Sequence, residues 1–150
     1  MTSELSDERT PIQVKLVTEI KNQDHTDEIV VEESGDFIHK GNAYILRFTE
    51  HHDEEQPIDN LVTIHPDKVI VRRTGPVRMN QVFRENAITE NVYYHPYGKF
   101  HMQTTTKSIT LEESSDQIKG KLMISYDLEM NGQDKQGHRL SLRYNEEGQS

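Results

Sequence analysis

The sequence predicts an all-β protein that folds as a single closed, antiparallel, up-and-down β-barrel of about 8–10 strands. Apolar and polar residues alternate along most of the 150 residues, and a period of two indicates strands with one buried and one solvated face. Alanine occurs only at positions 43 and 87, while Ile and Val together outnumber Leu by more than two to one, which favours strands over helices. Short polar segments with Gly, Asn or Pro separate the alternating runs and are typical of turns.

The first third of the chain predicts three strands. Residues 12–20 alternate between apolar and polar side chains and form the first. Residues 29–38 begin with three β-branched residues and form the second, with Gly35-Asp36 interrupting it as a bulge or bend. Residues 44–49 alternate again and form the third.

The middle of the chain predicts shorter strands. An acidic loop at residues 50–57 leads to a fourth strand at 61–64, and a fifth follows at 69–73 after a His-Pro stop. A Gly-Pro turn then leads to a sixth strand at 77–83. The alternation fades over residues 80–90, where a helical turn is the alternative.

The last third carries the clearest pattern. Further strands are predicted around residues 92–94 and 100–111. Residues 118–130 and 139–144 then alternate on either side of a polar segment that begins with Asn131-Gly132, which predicts an antiparallel hairpin.

Closure of the sheet follows from the short connections between strands. An open meander of this length exposes two long edges, and closing it into a barrel removes both. A two-sheet sandwich is the alternative, but the chain shows no long crossover. We expect residues 11–145 to form one barrel domain between polar tails at residues 1–10 and 146–150.

Composition excludes several classes of protein. Only 32% of residues are hydrophobic and the formal net charge is −9, yet the regular alternation argues against disorder. There is no cysteine, hence no disulfide framework and no thiol nucleophile. The sequence shows neither an apolar signal region nor a membrane-spanning run, so we expect a cytoplasmic protein. Its acidic balance argues against nucleic-acid binding, and nothing in it calls for a cofactor or a metal.

A resemblance to a known family rests on four motifs. These are Gly75-x-Val77-x-Met79-Asn80-Gln81-x-Phe83, then Gly98, then Thr104-Thr-Thr-Lys-Ser-Ile109, and finally Ile124-Ser-Tyr-Asp127. From about residue 11 to residue 144 the chain resembles the YwiB-like β-barrel proteins of Gram-positive bacteria. The resemblance implies a closed calycin-like (lipocalin-like) barrel. That family is functionally uncharacterised, so the resemblance implies no catalytic or ligand-binding residues.

The candidate functional site is a polar group on the predicted inner face. Gln81, Thr104, Thr106 and Tyr126 each share strand parity with apolar neighbours, so they are expected to enter the barrel. Buried polar groups must be hydrogen-bonded to one another, to water or to a ligand. The expected ligand-binding lining consists of Arg73, Met79, Gln81, Phe83, Phe100, Met102, Thr104, Thr106 and Tyr126. The alternative is an internal network, or trapped water, that satisfies these groups without a ligand.

A basic run extends from Lys68 to Arg84 with no acidic residue from position 69 onward. Arg72 and Arg73 point to opposite faces of one strand, which divides the run. Pairing of the outer arginines with Asp or Glu on neighbouring strands is the favoured interpretation, and an anion or RNA surface is the alternative. Arg73 is expected to enter the lumen, where it would need a counter-charge.

No catalytic or metal-binding signature is present. His51-His52-Asp53-Glu54-Glu55 contains metal-ligand residue types but no defined spacing, so a flexible acidic loop is the better interpretation. Asp127 and Glu129 share a parity, but it is the solvated one, where nothing would raise the pKa of either carboxyl group.

The leading hypothesis is therefore a non-enzymatic barrel that binds a small apolar or amphipathic molecule in its lumen. A protein-interaction module with a solid, side-chain-filled barrel is the alternative, and a homodimer is one arrangement that would cover outward apolar groups. An enzyme ranks third. A buried carboxylate or histidine facing the lumen would be the observation in its favour.

Overall fold

A computed structural model describes residues 8–148 and confirms the predicted fold class. The ten strands are β1 (Arg9–Lys21), β2 (Thr26–Lys40), β3 (Ala43–Glu50), β4 (Ile58–Ile64), β5 (Val69–Thr74), β6 (Arg78–Phe83), β7 (Ala87–His95), β8 (Gly98–Glu113), β9 (Lys119–Met130) and β10 (Gln136–Glu146). Each strand pairs antiparallel with the next along the chain, and β1 pairs with β10 to close the barrel. Between residues 8 and 148 there is no helix long and apolar enough to cross a membrane.

The boundaries of the barrel lie slightly outside the predicted ones. β1 begins at Arg9 and β10 ends at Glu146, so both predicted tails lose residues to the sheet. Of the remaining predicted tail residues, 8, 147 and 148 belong to no strand, and 1–7 and 149–150 lie outside the described residues.

The alternative of a helical turn over residues 80–90 is wrong. β6 continues to Phe83, a tight turn follows, and β7 starts at Ala87. Asn86 takes a positive φ of 59°, a conformation that asparagine tolerates better than most residues. Its amide nitrogen donates to the carbonyl oxygen of Thr106, 2.9 Å away, which anchors this turn on β8.

The predicted interruption of β2 at Gly35-Asp36 is also absent. The register of β2 with β1 and with β3 runs through both residues without a shift. The glycine is needed for another reason: a Cβ atom at Gly35 would overlap the carbonyl oxygen of Arg47 on β3. It therefore permits close approach of two strands and creates no bulge.

The barrel is filled mainly by apolar side chains from the inward parity of each strand. Phe37 and Tyr144 stack with ring centroids 5.4 Å apart, and Tyr44 lies 5.4 Å from Phe37 on its other side. Gly120 makes room for this group, because a Cβ atom there would lie 2.6 Å from Cζ of Tyr144. Buried aromatic rings in contact provide a large share of the apolar area removed from water.

Two seams of the barrel differ greatly in extent. β1 and β10, which join the ends of the chain, share ten registered pairs from Ile12 with Glu146 to Lys21 with Gly137. In contrast, β6 and β7 share the single registered pair of Arg78 with Tyr94. The ladder is therefore long and regular where the chain closes on itself, and short and irregular between β6 and β7.

Candidate functional site

The inward face carries two polar groups within the apolar core. We call the first the lumen cluster, which consists of Gln81, Thr104, Thr106, Tyr126 and His138. We call the second the Glu50 cluster, which consists of Glu50, His52, Asn60 and Arg73. Every member of both clusters except His52 and Arg73 is buried.

Strand register assembles the lumen cluster. Thr106 on β8 pairs with Tyr126 on β9, and Tyr126 pairs with His138 on β10, so three polar side chains lie side by side on the inner face. A register shift between Thr106 and Ser108 leaves Lys107 unpaired in the ladder. Lys107 instead forms an ion pair with Asp127, 3.3 Å away.

One half of the lumen cluster is internally satisfied. Nε2 of Gln81 on β6 donates to Oγ1 of Thr104 on β8 at 2.9 Å, on the inner side of β7. The ring of Tyr126 packs between two others: Phe83 lies 4.8 Å away at 61° and His138 lies 5.0 Å away at 31°, measured between centroids. These contacts fix the positions of Gln81 and Tyr126 in the core.

The other half of the cluster is not satisfied. Oγ1 of Thr106 and both ring nitrogens of His138 are buried and have no hydrogen-bond partner within residues 8–148. Thr106 is 1% exposed and His138 is 9% exposed, so bulk water does not replace the missing partners. A buried polar atom without a partner costs about 1–3 kcal/mol. Three such atoms on neighbouring strands indicate a place where a polar ligand or ordered water completes the structure.

Burial also sets the protonation state of the cluster. It lowers the pKa of His138 from the ordinary 6.5, and the carboxylate of Asp127 acts in the opposite direction. It raises the pKa of Tyr126 above its usual value. At neutral pH the histidine is therefore a neutral ring that offers one donor and one acceptor, and the tyrosine keeps its proton.

A small cavity leads to these groups. It has a volume of about 120 Å³ and is lined by Tyr126 and His138, with Gly137, Lys21 and Lys107 among the residues around its opening. Gly137 has no side chain to cover its neighbour in the sequence. The depression therefore touches His138 and Tyr126 from the outer side of β1, β10 and β9, while the ring nitrogens of His138 stay buried behind it.

The Glu50 cluster is a closed network. The carboxylate of Glu50 accepts hydrogen bonds from Nη2 of Arg73 at 2.9 Å, from Nδ2 of Asn60 at 2.7 Å and from Nε2 of His52 at 3.1 Å. Burial alone raises the pKa of Glu50, but the Asn60 hydrogen bond, the Arg73 charge and the His52 contact together bring it below 4.5. Glu50 is thus the counter-charge that Arg73 was expected to need.

The structure separates the nine predicted lining residues. Six of them, Gln81, Phe83, Met102, Thr104, Thr106 and Tyr126, are buried on the inner face. Arg73 belongs to the Glu50 cluster. Met79 is partly buried against the core. Phe100 lies near the tip of the β7–β8 hairpin, with its ring centroid 6.1 Å from that of Tyr93 and 6.3 Å from that of His95.

Sequence reasoning missed His138 and Glu50 as inward-facing residues. The signal was present in both cases. His138 shares parity with Leu140 and Leu142 on β10, and Glu50 shares parity with Leu46 and Phe48 on β3. Both polar residues stand at the end of an apolar series, where they were taken for the start of a loop.

Comparison with known proteins places the chain in a family. Residues 14–142 match the family described as "Domain of unknown function (DUF1934)". The chain belongs to that family. It is 28% identical over 137 residues to the uncharacterised β-barrel protein YwiB of Bacillus subtilis (strain 168), covering 91% of this chain and 94% of that protein. The crystal structure of that protein superimposes with a TM-score of 0.82 over 95% of this chain and 96% of the other, at 27% identity. The predicted resemblance is thereby confirmed.

The predicted cross-strand pairing of the outer arginines is wrong. Arg72, Arg78 and Arg84 are exposed and form no ion pair with any described residue. Their outward neighbours are mostly uncharged: Arg72 lies between Leu61 and Asn80 in the sheet.

The histidines of the 50–57 loop are held by single carboxylates. Nδ1 of His51 lies 3.3 Å from Oε1 of Glu33, and His52 contacts Glu50. Among residues 8–148, no group of three or more His, Cys, Asp or Glu side chains is placed to hold a metal ion.

Proposed function

We propose that this protein binds a small amphipathic molecule in the lumen cluster and performs no chemistry on it. The observation that carries the proposal is the set of three buried atoms, Oγ1 of Thr106 and the two ring nitrogens of His138, that have no partner in the described chain. A ligand with a donor or an acceptor at a ring nitrogen of His138 supplies a partner that this side chain lacks. Tyr126, whose ring lies beside His138, and Phe83, whose ring lies against Tyr126, provide the apolar wall of such a site.

The size of the cavity limits the ligand. A volume of about 120 Å³ is slightly smaller than the apolar cavity of about 150 Å³ that admits benzene in an engineered protein. The proposed ligand is therefore compact, with about five or six non-hydrogen atoms, and not a lipid or another long-chain molecule. This is a narrower ligand class than calycin-like barrels with open lumens would take.

Native mass spectrometry on gently purified protein tests the proposal. We expect a reproducible mass increment that disappears on denaturation, or that appears when compact alcohols, amides and imidazoles are supplied as probes. The double variant Thr106→Val/His138→Phe should lose it, since both substitutions remove the polar atoms; valine has nearly the shape of threonine, and phenylalanine keeps a flat ring, somewhat larger than imidazole.

A matched control makes the same chemical changes on the outer face. Thr63→Val/His101→Phe alters one threonine and one histidine whose side chains point away from the lumen, and it should retain the increment. Equal retention in both double variants would show that the lumen cluster is not the binding site. Gln81→Leu/Thr104→Val, which removes the satisfied pair, tests whether that half of the cluster orients the ligand.

A protein-interaction module is the second candidate, because apolar and aromatic groups are exposed on the outside. Tyr97 at the tip of the β7–β8 hairpin is 91% exposed, and its ring lies 5.0 Å from that of His95. Ile29 and Val30 on β2 are also exposed. A dimer in solution that dissociates in an Ile29→Ser/Val30→Ser variant, together with no bound molecule, would favour this candidate.

An enzyme remains the third candidate. Glu50 and His138 both face the lumen, which was the condition for considering one. Glu50 is bound by three donors, so its carboxylate serves an ion pair and is poorly suited to donate a proton. His138 alone has free nitrogens, and the side chain of Tyr126 beside it keeps its proton. A general base without a partner group gives weak support for catalysis.

A further inference from the structure

A second concavity, separate from the lumen cluster, lies on the outer face of β5, β6 and β7. Its volume is about 370 Å³, within the range of about 300–1,000 Å³ typical of small-molecule sites. Arg72, Arg78, Asn80 and Tyr94 line it, with Val92 and Met79 forming an apolar floor. Met79 has the inward parity of β6 and packs partly against the core, and it also adjoins this concavity.

The charge of this concavity is opposite to that of the whole chain. The formal net charge is −9, yet the lining contains two arginines and no carboxylate. Neither Arg72 nor Arg78 makes an ion pair with residues 8–148. Exposed arginines in an acidic protein ordinarily find a carboxylate, so two unpaired ones in one depression are available for an external anion.

Strand register places Arg72 and Arg78 on one face of two adjacent strands. Arg72 pairs with Asn80, and Arg78 stands two residues before Asn80 on the same strand and the same face. The two arginines are therefore diagonal neighbours on adjacent strands, with Cα atoms about 7–8 Å apart. Side chains of this length can converge on a single phosphate group, which each can contact through two N–H donors.

The remaining surface of the concavity suits a flat or apolar group. The guanidinium carbon of Arg78 lies 4.6 Å from the ring centroid of Tyr94, a cation–π contact that holds both side chains in place. Val92 and Met79 adjoin this pair, and the side-chain amide of Asn80 offers a donor and an acceptor. A phosphate beside an aromatic and apolar floor is the chemistry of a nucleotide.

We propose that this concavity binds a mononucleotide-sized organic phosphate, with the phosphate held by Arg72 and Arg78 and the base contacting Tyr94. A neighbouring depression of about 650 Å³ shares Arg72 and Thr74 and is also lined by Arg9 and Arg47. It extends the basic surface in the direction that a second phosphate would take. Asp36 and Asp59 on the same depression disfavour a longer chain of phosphates along it.

Equilibrium dialysis with ADP tests the proposal, with pyrophosphate and adenosine as partial ligands. We expect ADP to bind and the double variant Arg72→Ser/Arg78→Ser to weaken it at least tenfold. Tyr94→Leu should weaken ADP binding about fivefold, in line with the loss of one base–aromatic contact, and weaken pyrophosphate binding less than twofold, since there only the positioning of Arg78 is lost. Circular dichroism on each variant establishes that the barrel is intact.

The control variant is Lys15→Ser/Arg143→Ser, which removes the same two charges from exposed positions paired on β1 and β10. It should change ADP binding less than twofold. Equal weakening by the control, absence of ADP binding at millimolar concentration, or adenosine binding as tightly as ADP would each overturn the proposal. A single-stranded 12-mer RNA serves as a further probe. If it binds tenfold more tightly than ADP, and if the Arg72→Ser/Arg78→Ser variant no longer binds it, the ligand of this concavity is a nucleic acid and not a mononucleotide.

Discussion

The Glu50 cluster and the lumen cluster are both polar groups inside the same apolar barrel, yet they differ in how well they are satisfied. The carboxylate of Glu50 accepts from Arg73, Asn60 and His52. His138, on the other hand, has two buried nitrogens with no partner in the described chain. A fully partnered buried group is accounted for by the fold alone. An unpartnered one raises the energy of the empty fold and calls for a partner from outside the chain, either ordered water or a ligand.

The largest change in the free energy of unfolding is expected when the Glu50 cluster is broken. We expect Arg73→Met to lower the free energy of unfolding by about 3 kcal/mol, because it leaves the buried carboxylate of Glu50 without its counter-charge. Urea unfolding measures this change. Glu50→Gln/Arg73→Met should cost less than Arg73→Met alone, and a larger cost for the double variant would contradict the role of the ion pair.

Breaking the Gln81–Thr104 hydrogen bond of the lumen cluster should also lower the free energy of unfolding, but by less. Thr104→Val removes the acceptor of Gln81 and leaves a buried amide without a partner, which should cost about 2 kcal/mol. Thr63→Val on the outer face is the matched control and should change the free energy of unfolding by less than about 0.5 kcal/mol. Similar costs for the two variants would show that the Gln81–Thr104 hydrogen bond contributes little.

The two clusters should also affect stability in different pH ranges. The pKa of His138 lies below 6.5 in the folded chain, so the unfolded chain binds its proton first, and stability falls as the pH drops below 6.5. One such group changes the free energy of unfolding by at most about 1.4 kcal/mol per pH unit. Glu50 has its pKa below 4.5, so its contribution is complete above 4.5 and is lost only as the pH falls further.

The free energy of unfolding in urea, measured between pH 8 and pH 3, covers both pH ranges: the one below 6.5 for His138 and the one below 4.5 for Glu50. His138→Phe should remove the loss of stability that begins below pH 6.5 and leave the loss below pH 4.5 unchanged. Arg73→Met should reduce the loss below pH 4.5. His101→Phe, at an exposed position, should change neither loss. An unchanged loss below pH 6.5 in His138→Phe would mean that another histidine is responsible.

The smallest effect, and the most diagnostic one, is expected for the unsatisfied atoms themselves. His138→Phe and Thr106→Val remove polar atoms that have no partner, so each should change the free energy of unfolding of the ligand-free protein by less than about 1 kcal/mol, toward greater stability. Thermal unfolding of denatured and refolded protein gives this value. A loss above about 2 kcal/mol would show that these atoms have partners in solution.

The sequence was sufficient for the fold because alternation is a local signal. In β9, Leu122, Ile124 and Tyr126 lie on the buried face as their parity predicts, and the short connections led directly to a closed meander. The turn at Asn86 was ambiguous because its geometry depends on a hydrogen bond to Thr106, which is twenty residues away and invisible to local patterns.

The candidate site was only partly predictable for a related reason. Parity shows that Thr106 and Tyr126 face inward, but not whether their polar atoms find partners, since that depends on register between strands. The contact between Gln81 and Thr104 spans 23 residues. The failure of Arg72 and Arg78 to pair with carboxylates likewise follows from which residues lie opposite them across the sheet.

The β6–β7 junction, where Arg78 and Tyr94 are the one registered pair, has the shortest regular ladder of the barrel, and the ring can be imagined opened along that line. Unzipping along that line turns the ring into a flat ribbon whose strand order runs β7, β8, β9, β10, β1, β2, β3, β4, β5, β6. The two ends of the polypeptide, joined through β1 and β10, then lie at the centre of the ribbon and not at its margins. Trimming or tagging either terminus would therefore leave the line of opening untouched, whereas a single cut in the turn at residues 84–86 would fall directly on it.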